Sequence, residues 1–327
     1  MIPMPRSYAV IGAGAVGGFY GARLQKAGLE VHFLLHSDYE YVRRHGITVE
    51  SVEGDFHLRH VHAYRSATDM PACDVACICL KTTQNHILPE ILPRVLSPDG
   101  VVITFQNGLG IEGDLAAIVG SDRVMGALCF ICSVKIGAGR IRHLDYGAIK
   151  LGEYSPDSVP RGVTTRMKQI GEDFRSAGIS VELAADLLLA RWQKLVWNIP
   201  FNGLCAILDA DTSRIMKSPS AVQLVQEIMH EVAEAAAAHD RIITEEFIRG
   251  MIYSTRKMAP YSPSMKLDRE KGRPMEIETI YRRPLHAARE RNVPMPLTQL
   301  LARELESLEE IIRAQGSQER KEASLEE

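Results

Sequence analysis

The stretch that most constrains this chain is Ile11-Gly12-Ala13-Gly14-Ala15-Val16-Gly17-Gly18, which directly follows the apolar run Tyr8–Ile11. An apolar strand that meets glycines at this G-x-G-x-x-G spacing has few ways to continue. Gly12 permits a tight turn, Gly14 lets backbone approach a pyrophosphate, and Gly17 lets the next helix pack on the sheet. The N-terminus of that helix offers unpaired N–H groups to an anion. The frame therefore predicts a dinucleotide site at Gly12, Ala13, Gly14, Ala15, Val16 and Gly17, heading a doubly wound sheet. The second strand, Val31–Leu35, runs into His36-Ser37-Asp38. A dinucleotide with a free ribose 2′-hydroxyl is met by an acid at this strand end. Leu35 stands in that place, whereas His36 and Ser37 can donate to a 2′-phosphate and Arg43 or Arg44 can reach it. NADP is thus favoured over NAD. Asp38 is either a displaced acid or the start of the next helix.

Downstream, Ala76–Leu80 and Val101–Phe105 are further apolar strands with helical patterns between them. Such alternation predicts a parallel sheet with helices on both faces. Segments rich in β-branched residues over 124–151 predict antiparallel strands, followed by a helix near 164–177 and a short strand at 179–182. After Asp186 strand signals nearly vanish. Helices are expected over 187–208, 219–239, 244–258, 276–290 and 297–314. With 327 residues the chain suits two domains. The expectation is α/β: an N-terminal Rossmann-type doubly wound sheet over 1–185, which binds dinucleotide, and an all-helical substrate and catalytic domain over 186–327.

A net charge of -3 gives no electrostatic case for nucleic acid or an anionic membrane. No apolar run reaches the roughly 18–20 residues of a spanning helix. The stretch from Tyr8 to Ala22 has a signal-like hydrophobicity, but its glycines serve the turn and no cleavage region follows, which predicts a cytoplasmic protein. The six cysteines fit a reducing compartment. Cys73, Cys77 and Cys79 read as small hydrophobes in a strand, and the Cys129/Cys132 pair lacks a helix-opening context for redox or zinc chemistry. His57, His60 and His62 read as a solvated hairpin, not a metal site, and no metal is expected.

The chemistry concentrates elsewhere. Lys194, Asn198 and Asn202 are spaced by four within an otherwise apolar helix, which places them on one face. An unpaired buried polar group costs on the order of 1–3 kcal/mol, so these side chains need partners: neighbouring carbonyls, or a ligand with an oxygen to protonate. Lys81 and Asn107 stand just past strand C-termini, the side on which doubly wound sheets bind ligands.

With these residues the chain resembles the ketopantoate reductase family over essentially its whole length. The resemblance rests on Gly12–Gly17, Lys81, Asn107-Gly108, Lys194…Asn198…Asn202, and Ser262-Pro263-Ser264-Met265-Lys266-Leu267-Asp268 followed by Glu276. It implies NADPH-dependent reduction of the 2-oxo acid 2-dehydropantoate to (R)-pantoate, a step toward pantothenate and coenzyme A. In that frame Lys194 is the general acid and Glu276 orients and tunes its ammonium. Asn198, Asn202 and Ser264 hold the substrate, and Lys81 and Asn107 join its cofactor and substrate sides. Asp268 stays outside the catalytic set, capping or paired with Arg273. Glu231 could approach Lys194 in an open form.

The chain departs from the family pattern at Pro263, Pro274-Met275, Tyr261 and His36. Those positions bear on substrate identity and cofactor choice more than on reaction type. One alternative is a reductase of another 2-oxo acid or ketone. Another is a non-catalytic NADP sensor, which the Lys194–Glu276 pair argues against. A helical second domain also offers surfaces for a homodimer.

Overall fold

The computed structural model describes residues 6–323. They divide into two compact units: one takes in the chain up to Gln106 together with Gly110–Ala190, the other Asn107–Leu109 together with everything from Arg191 on.

In the first unit the chain alternates strand and helix from its start. The elements are β1 (Ser7–Ile11), α1 (Ala15–Lys26), β2 (Glu30–Leu34), α2 (Tyr39–His45), β3 (Ile47–Ser51), β4 (Phe56–Leu58) and β5 (His62–Tyr64). There follow β6 (Cys73–Ile78), α3 (Leu88–Val95), β7 (Leu96–Thr104), α4 (Ile111–Val119), β8 (Val124–Gly137), β9 (Arg140–Glu153), α5 (Thr165–Ser176) and β10 (Val181–Ala184). The strands form one sheet in the order β4-β3-β9-β8-β7-β6-β1-β2-β5, with β10 on β9. From β5 to β8 every pairing is parallel, and these strands are buried runs such as Val75-Ala76-Cys77-Ile78, as expected of strands covered on both faces. The chain reverses at the β8–β9 hairpin, which is antiparallel throughout. This is the doubly wound sheet with an antiparallel extension.

One expectation holds only in part: His57 lies on β4 in the antiparallel β3–β4 hairpin, whereas His62 lies on β5, at the opposite end of the strand order. His57 Nδ1 meets the Thr48 hydroxyl at 3.0 Å, and the His60 carbonyl accepts from Gln25. Three-residue strands leave too short a run for an alternation to be read.

In the second unit no strand occurs among the described residues. Its elements are α6 (Leu187–Ile207, whose first turn belongs to the first unit), α7 (Thr212–Lys217), α8 (Pro219–Ala238), α9 (Glu245–Lys257), α10 (Ser264–Glu270), α11 (Arg283–Glu290) and α12 (Pro296–Ala323). Ser218 caps α8 ahead of Pro219 by accepting from Ala221 N. The helix expected over 276–290 is present but irregular: one π-helical turn, Glu278–Arg282, leads into α11. The short helices α7 and α10 were not foreseen. No helix among the described residues is long and apolar enough to cross a membrane.

Candidate functional site

The first unit builds its site largely from backbone. Gly12 has φ +94, a conformation L side chains rarely adopt, and a Cβ there would meet Leu80 Cδ2 at 2.7 Å. Gly17 has no room for a side chain, because a Cβ would stand 2.2 Å from the Gly12 carbonyl oxygen. At Gly14 a Cβ would meet nothing within 4 Å, so the space outside it is open. Gly14 is also the residue ahead of α1, and no side chain caps that helix. Ala15, Val16 and Gly17 form the first turn of α1.

Gly12, Ala13 and Gly14 open onto a cavity of about 520 Å³. His36, Ser37, Arg65, Arg94 and Lys135 line it too, with Leu34, Leu35 and Leu80 on its apolar side. A pocket with an apolar wall, a glycine turn and cationic groups can take an adenine ring and a pyrophosphate. Asp38 also lines it, but its carboxylate is engaged. Lys135 Nζ donates to Oδ1 at 2.6 Å and the Gly139 N–H to Oδ2 at 3.0 Å. The acid, which stands at the N-cap of α2, thus ties the β8–β9 hairpin to the start of that helix. Lys81 directly precedes a 3₁₀ turn over Thr82–Ile87 and is half-buried, one residue past Leu80. Arg65, Arg94 and Lys135 were absent from the sequence expectation, since they lie far apart in the chain and carry no shared motif.

The second unit builds its site from side chains. Lys194, Asn198 and Asn202 follow one another along α6; Lys194 is half-buried and both asparagines are buried. Asn198 Nδ2 donates to Asn107 Oδ1 at 3.4 Å. Asn202 Oδ1 accepts from Ser264 Oγ at 3.4 Å and from Met265 N at 3.2 Å. The second bond satisfies one of the orphan N–H groups at the start of α10, where Pro263 stands at the cap position and supplies no side-chain acceptor. The structure therefore brings Asn107 to Asn198 and Ser264 to Asn202. Glu276 is 2% exposed and directly precedes the first helical residue, Ile277.

Two further acids have structural partners. Glu231 accepts from Leu297 N, Thr298 N and Thr298 Oγ1, each at 2.8 Å, and so holds the N-terminus of α12, where the helix dipole favours a carboxylate. That is the role the structure gives Glu231. Asp268 pairs with Arg273 at 2.7 Å, as expected.

Asn107-Gly108 proves to be more than a turn. Leu109 N donates to the Thr279 carbonyl at 2.9 Å, and Thr279 Oγ1 donates to the Asn107 carbonyl at 3.1 Å. Gly108 has φ +111, and a Cβ would lie 2.4 Å from the Thr279 oxygen. Only glycine lets the two backbones meet this closely. Beside Asn198, Trp197 stacks on Phe201 with ring centroids 4.9 Å apart, and Tyr261 lies 6.5 Å from the Trp197 ring. Such a set of a lysine, amides and a hydroxyl can orient an oxo acid and deliver a proton.

Comparison with known proteins agrees across both units. Residues 8–156 match the family model described as ketopantoate reductase PanE/ApbA, and residues 186–309 match its C-terminal counterpart. A 2-dehydropantoate 2-reductase of Nostoc sp. is 51% identical over 304 residues, covering 93% of this chain and 95% of the relative. The crystal structure of a 2-dehydropantoate 2-reductase from Geobacter metallireducens is 40% identical with a TM-score of 0.88, covering 92% of this chain and 99% of that one. A D-mandelate dehydrogenase in ternary complex with NADH and anilino(oxo)acetate shares the fold at 20% identity, with a TM-score of 0.85 and coverage of 94% and 99%.

Proposed function

Because the chain belongs to the ketopantoate reductase family, and so is an oxidoreductase acting on a CH–OH group, we propose that it uses NADPH to reduce 2-dehydropantoate to (R)-pantoate on the way to pantothenate and coenzyme A. The observation that carries this reading is the gathering of Asn107, Asn198, Asn202 and Ser264 into two bonded pairs along the α6 face that also presents Lys194.

NADPH supplies the hydride when bound. The Gly12–Gly17 turn and the start of α1 would hold its pyrophosphate, Lys81 would add a cation beside them, and His36, with Arg65 and Lys135, would take the 2′-phosphate. As hydride reaches the carbonyl carbon, the oxygen gains negative charge. Lys194 donates a proton to it and stabilises the charge until transfer. Glu276 keeps the ammonium oriented. The amides and the Ser264 hydroxyl hold the substrate carboxylate and hydroxyl, and the ordered carboxylate fixes which face of the ketone receives hydride. In this reading residues 1–185, apart from the Asn107 loop, serve the dinucleotide, and 186–327 with that loop serve the substrate. The protein acts in the cytoplasm, as a homodimer of 36.3 kDa chains.

A second reading has one observation in its favour. Trp197 and Phe201 directly precede Asn198 and Asn202 on α6 and group with Tyr261, and aromatic side chains suit an aryl or branched 2-oxo acid.

The test is a panel of 2-oxo acids assayed with NADPH and with NADH by the loss of absorbance of the reduced nicotinamide. Ketopantoate with NADPH is expected to give the highest kcat/KM. A higher value for an aryl 2-oxo acid would replace the substrate assignment, and a preference for NADH would replace the cofactor assignment. A dimer is checked by light scattering of the purified chain.

A further inference from the structure

We propose that the π-helical turn Glu278–Arg282 is the positioning element of the substrate amides, acting through Tyr281 on α6 and through Thr279 on the Asn107 loop. The inference rests on the reading of Asn107, Asn198 and Asn202 as substrate ligands.

The α6 helix is locally weak where it carries its amides. Pro200 has no N–H, so the Val196 carbonyl lacks its ladder donor four residues on. The next ladder partners that flank the amides are Ile199 and Gly203, one residue past Asn198 and one past Asn202. Tyr281 enters at this place. Its Oη donates to the Ile199 carbonyl at 2.8 Å and lies against Gly203. A side chain that bonds a ladder carbonyl beside a proline gap biases the local path of a helix. Gly203 leaves the space for it, since a Cβ there would stand 2.8 Å from the Tyr281 oxygen and 2.5 Å from Leu301 Cδ2. Tyr281 is completely buried, and burial pushes its phenol well above the ordinary range, so it remains a neutral donor.

Thr279 stands two residues earlier on the same turn. Residues two apart on a helical turn point to different sides, so one turn can serve two clients. Thr279 donates through Oγ1 to the Asn107 carbonyl and accepts at its own carbonyl from Leu109 N, with Gly108 pressed between. The loop held in this way presents Asn107 Oδ1 to Asn198. Both asparagines of that pair thus take their positions from one π-turn. Such turns are rare and recur at functional sites, where the widened register re-aims neighbouring groups.

Tyr281→Phe retains the ring and removes the hydroxyl, which makes it the sharp test. In steady-state assays with 2-dehydropantoate and NADPH, it should raise KM for the oxo acid about tenfold and leave KM for NADPH within about twofold, a loss of about 1.4 kcal/mol. In an Asn198→Ala background it should add little, because both changes disable one arrangement. If the phenylalanine variant does not fold, Thr279→Val should show the same split and Thr279→Ser should restore it. Wild-type constants in Tyr281→Phe beside an impaired Asn198→Ala would overturn the proposal alone, as would losses that multiply in the double variant. Wild-type constants in Asn198→Ala would overturn the reading of the amides, and the proposal with it.

Discussion

The two units hold their functional groups by opposite means. The glycine turn of the first unit presents peptide groups whose geometry is set within six consecutive residues, Gly12–Gly17. The α6 face of the second unit presents side chains whose aim is set from far along the sequence, since Thr279 and Asn107 are 172 positions apart. A site made of backbone fails when a side chain is added in the wrong place. A site made of side chains fails when its support is taken away. The difference gives each unit its own signature under mutation.

The largest effect is expected from the second unit. Lys194→Ala should lower kcat by about 10²–10⁴ with little change in the affinity for NADPH; normal turnover would remove Lys194 from the chemistry. Next comes a pair of glycine substitutions that sets the two regions side by side. Gly108→Ala adds a Cβ 2.4 Å from the Thr279 oxygen at φ +111, so it should cost at least on the order of 1–3 kcal/mol in thermal or chemical unfolding. Gly14→Ala, facing open space, should leave unfolding unchanged and weaken NADPH binding instead, because the new methyl occupies the approach of the pyrophosphate. If both variants lose stability and neither loses cofactor affinity, the contrast between the regions is void.

A smaller effect should follow pH. Lys266 donates to Asp209 at 2.8 Å and pairs with Glu270, while Arg269 lies 3.0 Å from Asp209. The hydrogen bond from Lys266 holds the Asp209 carboxyl below its ordinary range. Burial draws the Lys266 ammonium down, but its bonds to Asp209 and Glu270 outweigh that and hold it above its ordinary range. A depressed acid stabilises above its unfolded pKa of about 4, and that share is lost as pH falls through the folded value. A raised lysine stabilises below about 10.5, and that share is lost as pH rises through its folded value. Asp209→Asn should therefore flatten the fall in melting temperature between about pH 5 and pH 3. An identical profile in the variant would show that the cluster adds nothing to stability.

Least of all should change on thiol labelling. Burial pushes Cys73 up to about 11 and Cys205 up to about 12. Neither should react with iodoacetamide at pH 8 in the folded protein, as mass spectrometry would show.

The sequence disclosed these features unevenly, and the physical reason is range. Gly12 and Gly17 were readable because each answers a demand within a few residues: a positive φ, and a helix packed on its own strand. Lys194, Asn198 and Asn202 were readable because a spacing of four marks one helical face. The alternation of strands and helices exposed the doubly wound sheet in the same way. The π-turn, the docking of Asn107–Leu109 on Thr279 and the cations of the 520 Å³ cavity were not readable. Each depends on residues distant in the chain with no period to betray them. The hold of Glu231 on the start of α12 was likewise not readable, because its partners Leu297 and Thr298 lie 66 and 67 positions on. Asn202, legible as a polar residue needing a partner, turns out to have one in the backbone of α10, and this bond sets its orientation.

One consequence of the three-residue segment Asn107–Leu109 concerns how the protein can be divided. The chain leaves the first unit at Gln106, returns at Gly110 and leaves again after Ala190. A single cut at 190/191 would give two fragments of natural length, yet neither would contain a complete unit. The second fragment would lose the partners of the Thr279 hydroxyl and carbonyl, and the first would carry the loop without its support. The units share no single seam, so a gene split or a domain exchange between relatives has to carry residues 107–109 with the helical part or lose the placement of Asn107.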